Sequence, residues 1–262
     1  MINRRVRSIA PNLLTLANLF SGFTAIIYTT QGDFYSAALF IFLGAIFDML
    51  DGIAARIMQT SSEFGVELDS LCDAITFGMA PSFLLYFSYF NTYGETGILF
   101  SSLPAIAGVV RLARFNSQLT SLEDKKYFTG LPIPAAALTI ISYVLFYDRD
   151  LFLLNENRFY YTFGVTILIS LVMVSRIKYE NLPRPSLKSI KSNPILFVFV
   201  VLSISVSIIT KGFAVFPSLL IFIIFGMLRY TYTFIKSIDG NEDLIDIDDL
   251  DDINEFENAD EL

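Results

Sequence analysis

The chain has no histidine and no tryptophan, and a single cysteine, Cys72, among its 262 residues. Without histidine there is no Ser-His-Asp triad, no histidine-ligated zinc and no imidazole base. Acid–base chemistry must then use carboxylates, Lys, Tyr or water. One cysteine cannot close an intramolecular disulfide, which excludes a disulfide-stapled secreted scaffold. Cys72 reads as an inert buried thiol. Charge is also scarce. Asp, Glu, Lys and Arg make up 17% of the chain, against about 25% in a soluble domain. Apolar residues take their place, at 54% with 26 Phe and 13 Tyr, and the mean hydropathy is +0.58. This composition excludes a disordered chain and argues against a soluble core.

The net charge of -8 is not a global property. From Asp239 onward the chain carries twelve acids and no Lys or Arg, so the body without this tail stands at +4. No basic stripe is large enough to imply a nucleic-acid partner. The tail (239–262) reads as an acidic, solvated and disordered cytoplasmic segment. The run Leu244-Ile245-Asp246-Ile247-Asp248-Asp249-Leu250 leaves a partner-binding helix as the alternative.

A helix of about 20 apolar residues crosses a bilayer. Eight segments qualify, over roughly 12–30, 35–58, 66–90, 97–117, 131–147, 159–178, 194–210 and 215–235, the seventh being the shortest. The expected fold is therefore all-α, a polytopic membrane bundle of about eight transmembrane helices. Arg4, Arg5 and Arg7 precede the first segment, but its apolar run is too long for a signal peptide and no small-residue cleavage site follows. It reads as a retained helix, with Arg4 to Ile9 on the membrane surface. Lys and Arg concentrate on the cytoplasmic side of membrane proteins. With the N-terminus inside, fifteen basic residues face the cytoplasm and three, Arg149, Arg158 and Lys211, face out. Both termini are then cytoplasmic.

Four acids break the pattern of charges at segment ends: Asp48, Asp51, Asp69 and Asp73. Each ionised carboxylate within a membrane helix costs about 2.5–3.5 kcal/mol, so four cost about 10 kcal/mol. Arg56 alone cannot offset that. Asp48 and Asp51 are i, i+3 and Asp69 and Asp73 are i, i+4, so each pair shares one helix face. The short connection around Thr60 to Phe64 makes the two helices antiparallel neighbours, with both pairs at similar depth near the cytoplasmic side. Four converging carboxylates form an oxygen cage suited to Mg²⁺ or Mn²⁺ rather than zinc. Gly52, Ala55 and Gly65 on the same faces permit close approach of a ligand, and Arg56 suits a phosphate contact. Together they point to a ligand bearing a pyrophosphate.

These residues read Asp48-x2-Asp51-Gly52-x2-Ala55-Arg56-x8-Gly65-x3-Asp69-x3-Asp73. The pattern resembles the full signature of the CDP-alcohol phosphatidyltransferase family. Its eight fixed positions would recur by chance in on the order of one chain in ten million. Pro11-Asn12-Leu13-Leu14-Thr15 with Asn18 and Gly22 resembles the family's opening helix. Three further stretches resemble the branch of the family whose acceptor is serine: Asp73 to Pro81, Arg111-Leu112-Ala113-Arg114-Phe115-Asn116, and Phe128 to Ala136. That branch usually has Ser and Val at Thr76 and Met79, and often Ser at Ile133. The resemblance spans roughly residues 8–140. It sets the expected organisation: a catalytic core over 1–140, additional membrane helices over 141–238, then the tail.

The resemblance implies transfer of a phosphatidyl group from CDP-diacylglycerol to L-serine, with phosphatidylserine and CMP as products. It implies that Asp48, Asp51, Asp69 and Asp73 hold Mg²⁺ or Mn²⁺, two ions per site, and that Asp73 also serves as general base. Gly52, Ala55, Arg56 and Gly65 are expected around the CDP moiety. Asn12, Thr15 and Asn18 are expected either as nucleotide contacts or as helix caps. Arg111 and Arg114 either mark the cytoplasmic end of their helix or bind the acceptor, since Arg suits a carboxylate bidentately. Pro132 and Pro134 shape the entry of the fifth segment. A homodimer in a bacterial-type cytoplasmic membrane, with the active site facing the cytoplasm, is the family expectation. The alternatives are another acceptor (glycerol 3-phosphate, an inositol phosphate or choline) and a cation-coupled transporter. Against a transporter, the acids cluster on one side instead of stepping across the membrane.

Overall fold

A computed structural model describes residues 9–58, 62–118, 127–147, 158–180 and 194–238. The surface stretch expected at Arg4 to Ile9 (all but its last residue) and the acidic tail lie outside the described residues. Helix α1 (Ile9–Thr30) closes at Gly32, whose φ of 78° is the left-handed conformation that glycine adopts without strain. There the Asp33 amide reaches back to the Tyr28 carbonyl at 3.0 Å. Asp33 then caps α2 (Phe34–Met58), its Oδ1 accepting from the Ser36 amide at 3.0 Å. The two tight caps fold α2 back along α1, the most extensive helix pair in the molecule.

Ser62 opens α3 (Glu63–Asp73) by accepting the Gly65 amide at 3.1 Å. The rod continues through a π-helical turn (Ala74–Met79) into α4 (Ala80–Ser88). In this turn the Ala80 amide bonds to the Ile75 carbonyl, five residues back. Pro81 has no N–H to continue an i→i−4 ladder, which favours widening of the turn before it. A 3₁₀ turn (Phe90–Tyr93) leads to α5 (Gly94–Gln118), which contains Pro104. Next to that proline, the Ala105 amide is satisfied by Ser82 Oγ at 3.1 Å, which ties α5 to α4.

Helix α6 (Ile133–Phe146) is buried along most of its length. Helices α7 (Arg158–Val174), α8 (Pro194–Ile209) and α9 (Val215–Ile238) complete the bundle, with α7 against α5 and α9 against α6. The helical bundle expected from sequence carries one addition, a short antiparallel ribbon of β1 (Tyr127–Thr129) and β2 (Lys178–Glu180), with Phe128 opposite Tyr179.

Among the described residues, five helical stretches are long and apolar enough to span a membrane: Ile9–Thr30, Phe34–Met58, Glu63–Ser88, Phe90–Ser117 and Val215–Ile235. Three more, Ile133–Phe146, Arg158–Val174 and Phe197–Ile209, are apolar but shorter. The outer faces carry exposed Leu13, Phe20, Phe23, Phe42 and Phe225. Helices that are apolar on the outside as well as at their contacts suit a lipid surround, and the chain is an integral membrane protein.

Candidate active site

The four acids lie on two helices, α2 and α3, that each pack against α1. Carboxylate oxygens of Asp48, Asp51 and Asp69 lie within 4.8 Å of one another. Asp48 and Asp51 come from the last turns of α2, and Asp69 comes from α3. Asp73, one turn further along the same face of α3, is not one of this trio. It is buried at the junction with the π-helical turn.

Helix α1 reaches both acid pairs. Thr15 Oγ1 donates to Asp51 Oδ2 at 2.8 Å, and lies 3.1 Å from the Pro11 carbonyl. Asn18 Nδ2 donates to Asp73 Oδ1 at 3.0 Å. Thr15 and Asn18 are i, i+3 and share a face. Both are buried, Asn18 completely. They stand behind the carboxylates rather than in a space open to ligand. The two were expected to contact nucleotide or cap the helix, and in the structure their side chains hydrogen-bond to the acids. Asn12 is half-buried near Gly65, its Oδ1 3.8 Å from where a Gly65 Cβ would stand.

The glycines separate into two kinds. A Cβ on Gly52 would meet nothing within 4 Å, so this glycine leaves open space beside Asp51. Gly22 and Gly44 instead receive a neighbour. A Cβ on Gly22 would stand 2.4 Å from Thr76 Oγ1, and one on Gly44 2.5 Å from Thr76 Cγ2 and 2.9 Å from Asn18 Oδ1. Thr76 therefore fits a notch between α1 and α2, and its hydroxyl donates to the Asn18 carbonyl at 3.0 Å. Sequence reasoning did not single out Gly44, and named Thr76 only as a departure from the serine branch. Their positions, four residues before Asp48 and three after Asp73, put them on the acids' own faces, which was the available signal.

The arginines also divide. Arg56 is exposed and its Nε donates to the Gly52 carbonyl at 2.9 Å. Arg114 donates to the carbonyls of Val174 at 2.9 Å and Ser175 at 3.2 Å, at the C-terminal end of α7. It binds a helix end, where orphan carbonyls favour a cation. Arg111 is buried and its Nε has no hydrogen-bond partner. Ser70 and Asn116 hydrogen-bond at 3.0 Å, which ties the acid-bearing α3 to the end of α5. Pro132 precedes the first residue of α6 and Pro134 lies in its first turn, so both stand at the helix entry as expected. Cys72 is buried and free.

The donor set suits a hard divalent cation. It is made of oxygen, from three carboxylates close enough to share an ion, with no thiolate or imidazole among them. Asp69 Oδ1 is also buried without a partner, and a buried carboxylate oxygen without a hydrogen bond needs a cation or a donor. Among the described residues, Asp48, Asp51 and Asp69 form a group that could hold such an ion.

Carboxylates gathered from two membrane helices make, inside the bundle of an integral membrane protein, a cluster that could hold a hard divalent cation. The chain belongs to the CDP-alcohol phosphatidyltransferase family, whose model matches residues 8–176, through α7. It is similar to a Helicobacter pylori protein named CDP-diacylglycerol–serine O-phosphatidyltransferase, 36% identical over 228 residues, covering 87% of this chain and 93% of the relative. A Methanocaldococcus jannaschii protein of the same name is 33% identical over 218 residues, covering 83% of this chain and 92% of that one. An archaetidylserine synthase of Methanothermobacter thermautotrophicus is 37% identical over 180 residues, or 65% of this chain and 69% of the relative.

Proposed function

We propose that the protein is a CDP-diacylglycerol–serine O-phosphatidyltransferase. The observation that carries this reading is the convergence of Asp48, Asp51 and Asp69 within 4.8 Å, beside the open space at Gly52, in a member of this family. The serine hydroxyl oxygen attacks the phosphorus that bears diacylglycerol. The bond from that phosphorus to the CMP oxygen breaks, CMP leaves, and the hydroxyl proton passes to a carboxylate. Asp73 is our choice for that carboxylate, because it sits at the buried end of the acid face. Mg²⁺ or Mn²⁺, two ions per site, would supply charge neutralisation to the pyrophosphate. Asp48, Asp51 and Asp69 would hold them, with Asp73 as a further ligand.

Gly52, Ala55, Arg56, Gly65 and Asn12 are proposed to line the CDP-diacylglycerol site. Arg111 is proposed for the acceptor carboxylate, because it is a buried guanidinium with a spare donor, whereas Arg114 is committed to α7. Serine as the acceptor is supported by the names of the relatives, which differ in their lipid and agree on serine. The site residues all fall within 1–140, which we take as the catalytic core, with the helices of 141–238 as its buttress. We further propose eight membrane helices with both termini cytoplasmic, an active site on the cytoplasmic face of a bacterial-type cytoplasmic membrane, and a homodimer.

The test is CMP release by purified, detergent-solubilised protein given CDP-diacylglycerol and Mn²⁺ or Mg²⁺. Serine is compared with glycerol 3-phosphate, inositol phosphate and choline, with Asp73→Asn as control. Serine-dependent release that the control loses is the expected result. Release with another alcohol overturns serine, and no release with any acceptor overturns the transferase reading.

A further inference from the structure

The buried Asn18 side chain is not explained by packing alone. Its Nδ2 holds Asp73 Oδ1 at 3.0 Å, while its Oδ1 is buried without a partner. A buried amide oxygen left unpaired carries a desolvation cost, so an apolar residue of this size would suit the position better if it served packing only. The surroundings are arranged around this amide. Gly44 has no side chain where a Cβ would stand 2.9 Å from Asn18 Oδ1, and Thr76 Oγ1 clamps the Asn18 backbone carbonyl at 3.0 Å. Thr76 itself lies in the π-helical turn that begins one residue after Asp73. Asp73 is thus held from two directions, by its own helix and by an amide 55 residues earlier in the chain.

We propose that Asn18 is a positioning residue for the transfer reaction. Its amide fixes one oxygen of Asp73 so that the other faces the acceptor hydroxyl, and Gly44 and Thr76 keep the amide in that orientation. A carboxylate with both oxygens free rotates about its last side-chain bond, and a proton acceptor must be held in line with the proton it takes. One charge-assisted hydrogen bond removes that freedom. Thr15 performs the corresponding task for Asp51, but Asp51 belongs to the carboxylate trio. The inference rests on the transferase reading given above.

The test uses full-length protein in detergent with Asn18→Leu, Asn18→Ala and Asn18→Gln. Leucine matches asparagine in size and lacks the N–H, alanine removes the side chain, and glutamine keeps the amide but displaces it. Thermal midpoint, kcat, KM for CDP-diacylglycerol and Mn²⁺ affinity by electron paramagnetic resonance are measured beside wild type. Folded Asn18→Leu is expected to lose kcat by about 10- to 100-fold, the worth of one hydrogen bond to a charged group. Its KM for CDP-diacylglycerol is expected to stay within about threefold, and its Mn²⁺ affinity to fall by far less than its kcat, because the trio is untouched and Asp73 is only a further ligand. Asn18→Gln is expected to lie between Asn18→Leu and wild type, which tests the proposal even if the other two variants fail to fold. Wild-type kcat in folded Asn18→Leu or Asn18→Gln overturns it, as does a loss of kcat matched by loss of Mn²⁺ affinity. An inactive wild type overturns the transferase reading itself, a separate result.

Discussion

Thr15 Oγ1 donates to Asp51 Oδ2 at 2.8 Å, across 36 residues of sequence. One hydroxyl on the first helix therefore holds an acid on the second in the rotamer that brings it to Asp48 and Asp69. Replacing Thr15 by Val keeps the β-branched shape and removes the donor. The expected outcome is an approximately tenfold rise in the Mn²⁺ concentration that gives half-maximal CMP release, at little change in thermal midpoint. A titration of activity against free Mn²⁺ measures it.

The trio itself should bind an ion with no substrate present. Asp69→Asn and Asp48→Asn should each weaken Mn²⁺ binding by about 100-fold, since each removes a charged ligand from the shared site. Electron paramagnetic resonance of bound Mn²⁺ in detergent reads this directly. Chelation with EDTA should abolish CMP release, and added Mn²⁺ or Mg²⁺ should restore it.

The two kinds of glycine predict opposite behaviour. Gly44→Ala places a Cβ 2.5 Å from Thr76 Cγ2, an overpacking expected to cost about 1–3 kcal/mol. Its thermal midpoint should fall by several degrees. Gly52→Ala meets nothing within 4 Å, so its midpoint should match wild type. Its KM for CDP-diacylglycerol should rise several-fold if the methyl enters the proposed donor site. Thermal unfolding and donor saturation curves on the two variants separate packing from binding.

Arg111 and Arg114 are three residues apart and should fail differently. Arg114→Ala leaves the Val174 and Ser175 carbonyls without their cation and should lower the thermal midpoint, with about 1–3 kcal/mol lost. Arg111→Lys keeps the charge but loses the planar fork. It should raise KM for serine about tenfold and leave KM for CDP-diacylglycerol unchanged. Equal effects of the two variants on serine KM would remove the distinction drawn between them.

Much of the bundle was legible without coordinates. The segments expected at 12–30, 35–58, 97–117 and 215–235 match helices Ile9–Thr30, Phe34–Met58, Gly94–Gln118 and Val215–Ile238 to within a few residues. Length and apolarity are local properties, and a lipid-spanning chain must satisfy its backbone hydrogen bonds within each helix. The acid faces were legible for the same reason, since i, i+3 and i, i+4 spacing sets a helix face before any partner is chosen.

The donors behind the acids were not legible. Thr15 and Asn18 meet Asp51 and Asp73 across 36 and 55 residues, and no periodicity within one helix encodes which side chain faces another. Arg111 and Arg114 have the same charge and nearly the same address, yet one meets the end of α7 and the other is buried with a free donor. Gly44 looks like ordinary helix packing until Thr76 is seen to fill its place. The helices, their apolar outer faces and the line of acids are written into the chain, because they follow from composition and spacing along one segment. Which carboxylates converge, which polar groups hold them and which arginine is spare emerge only on packing, because distances between helices depend on how their surfaces interlock.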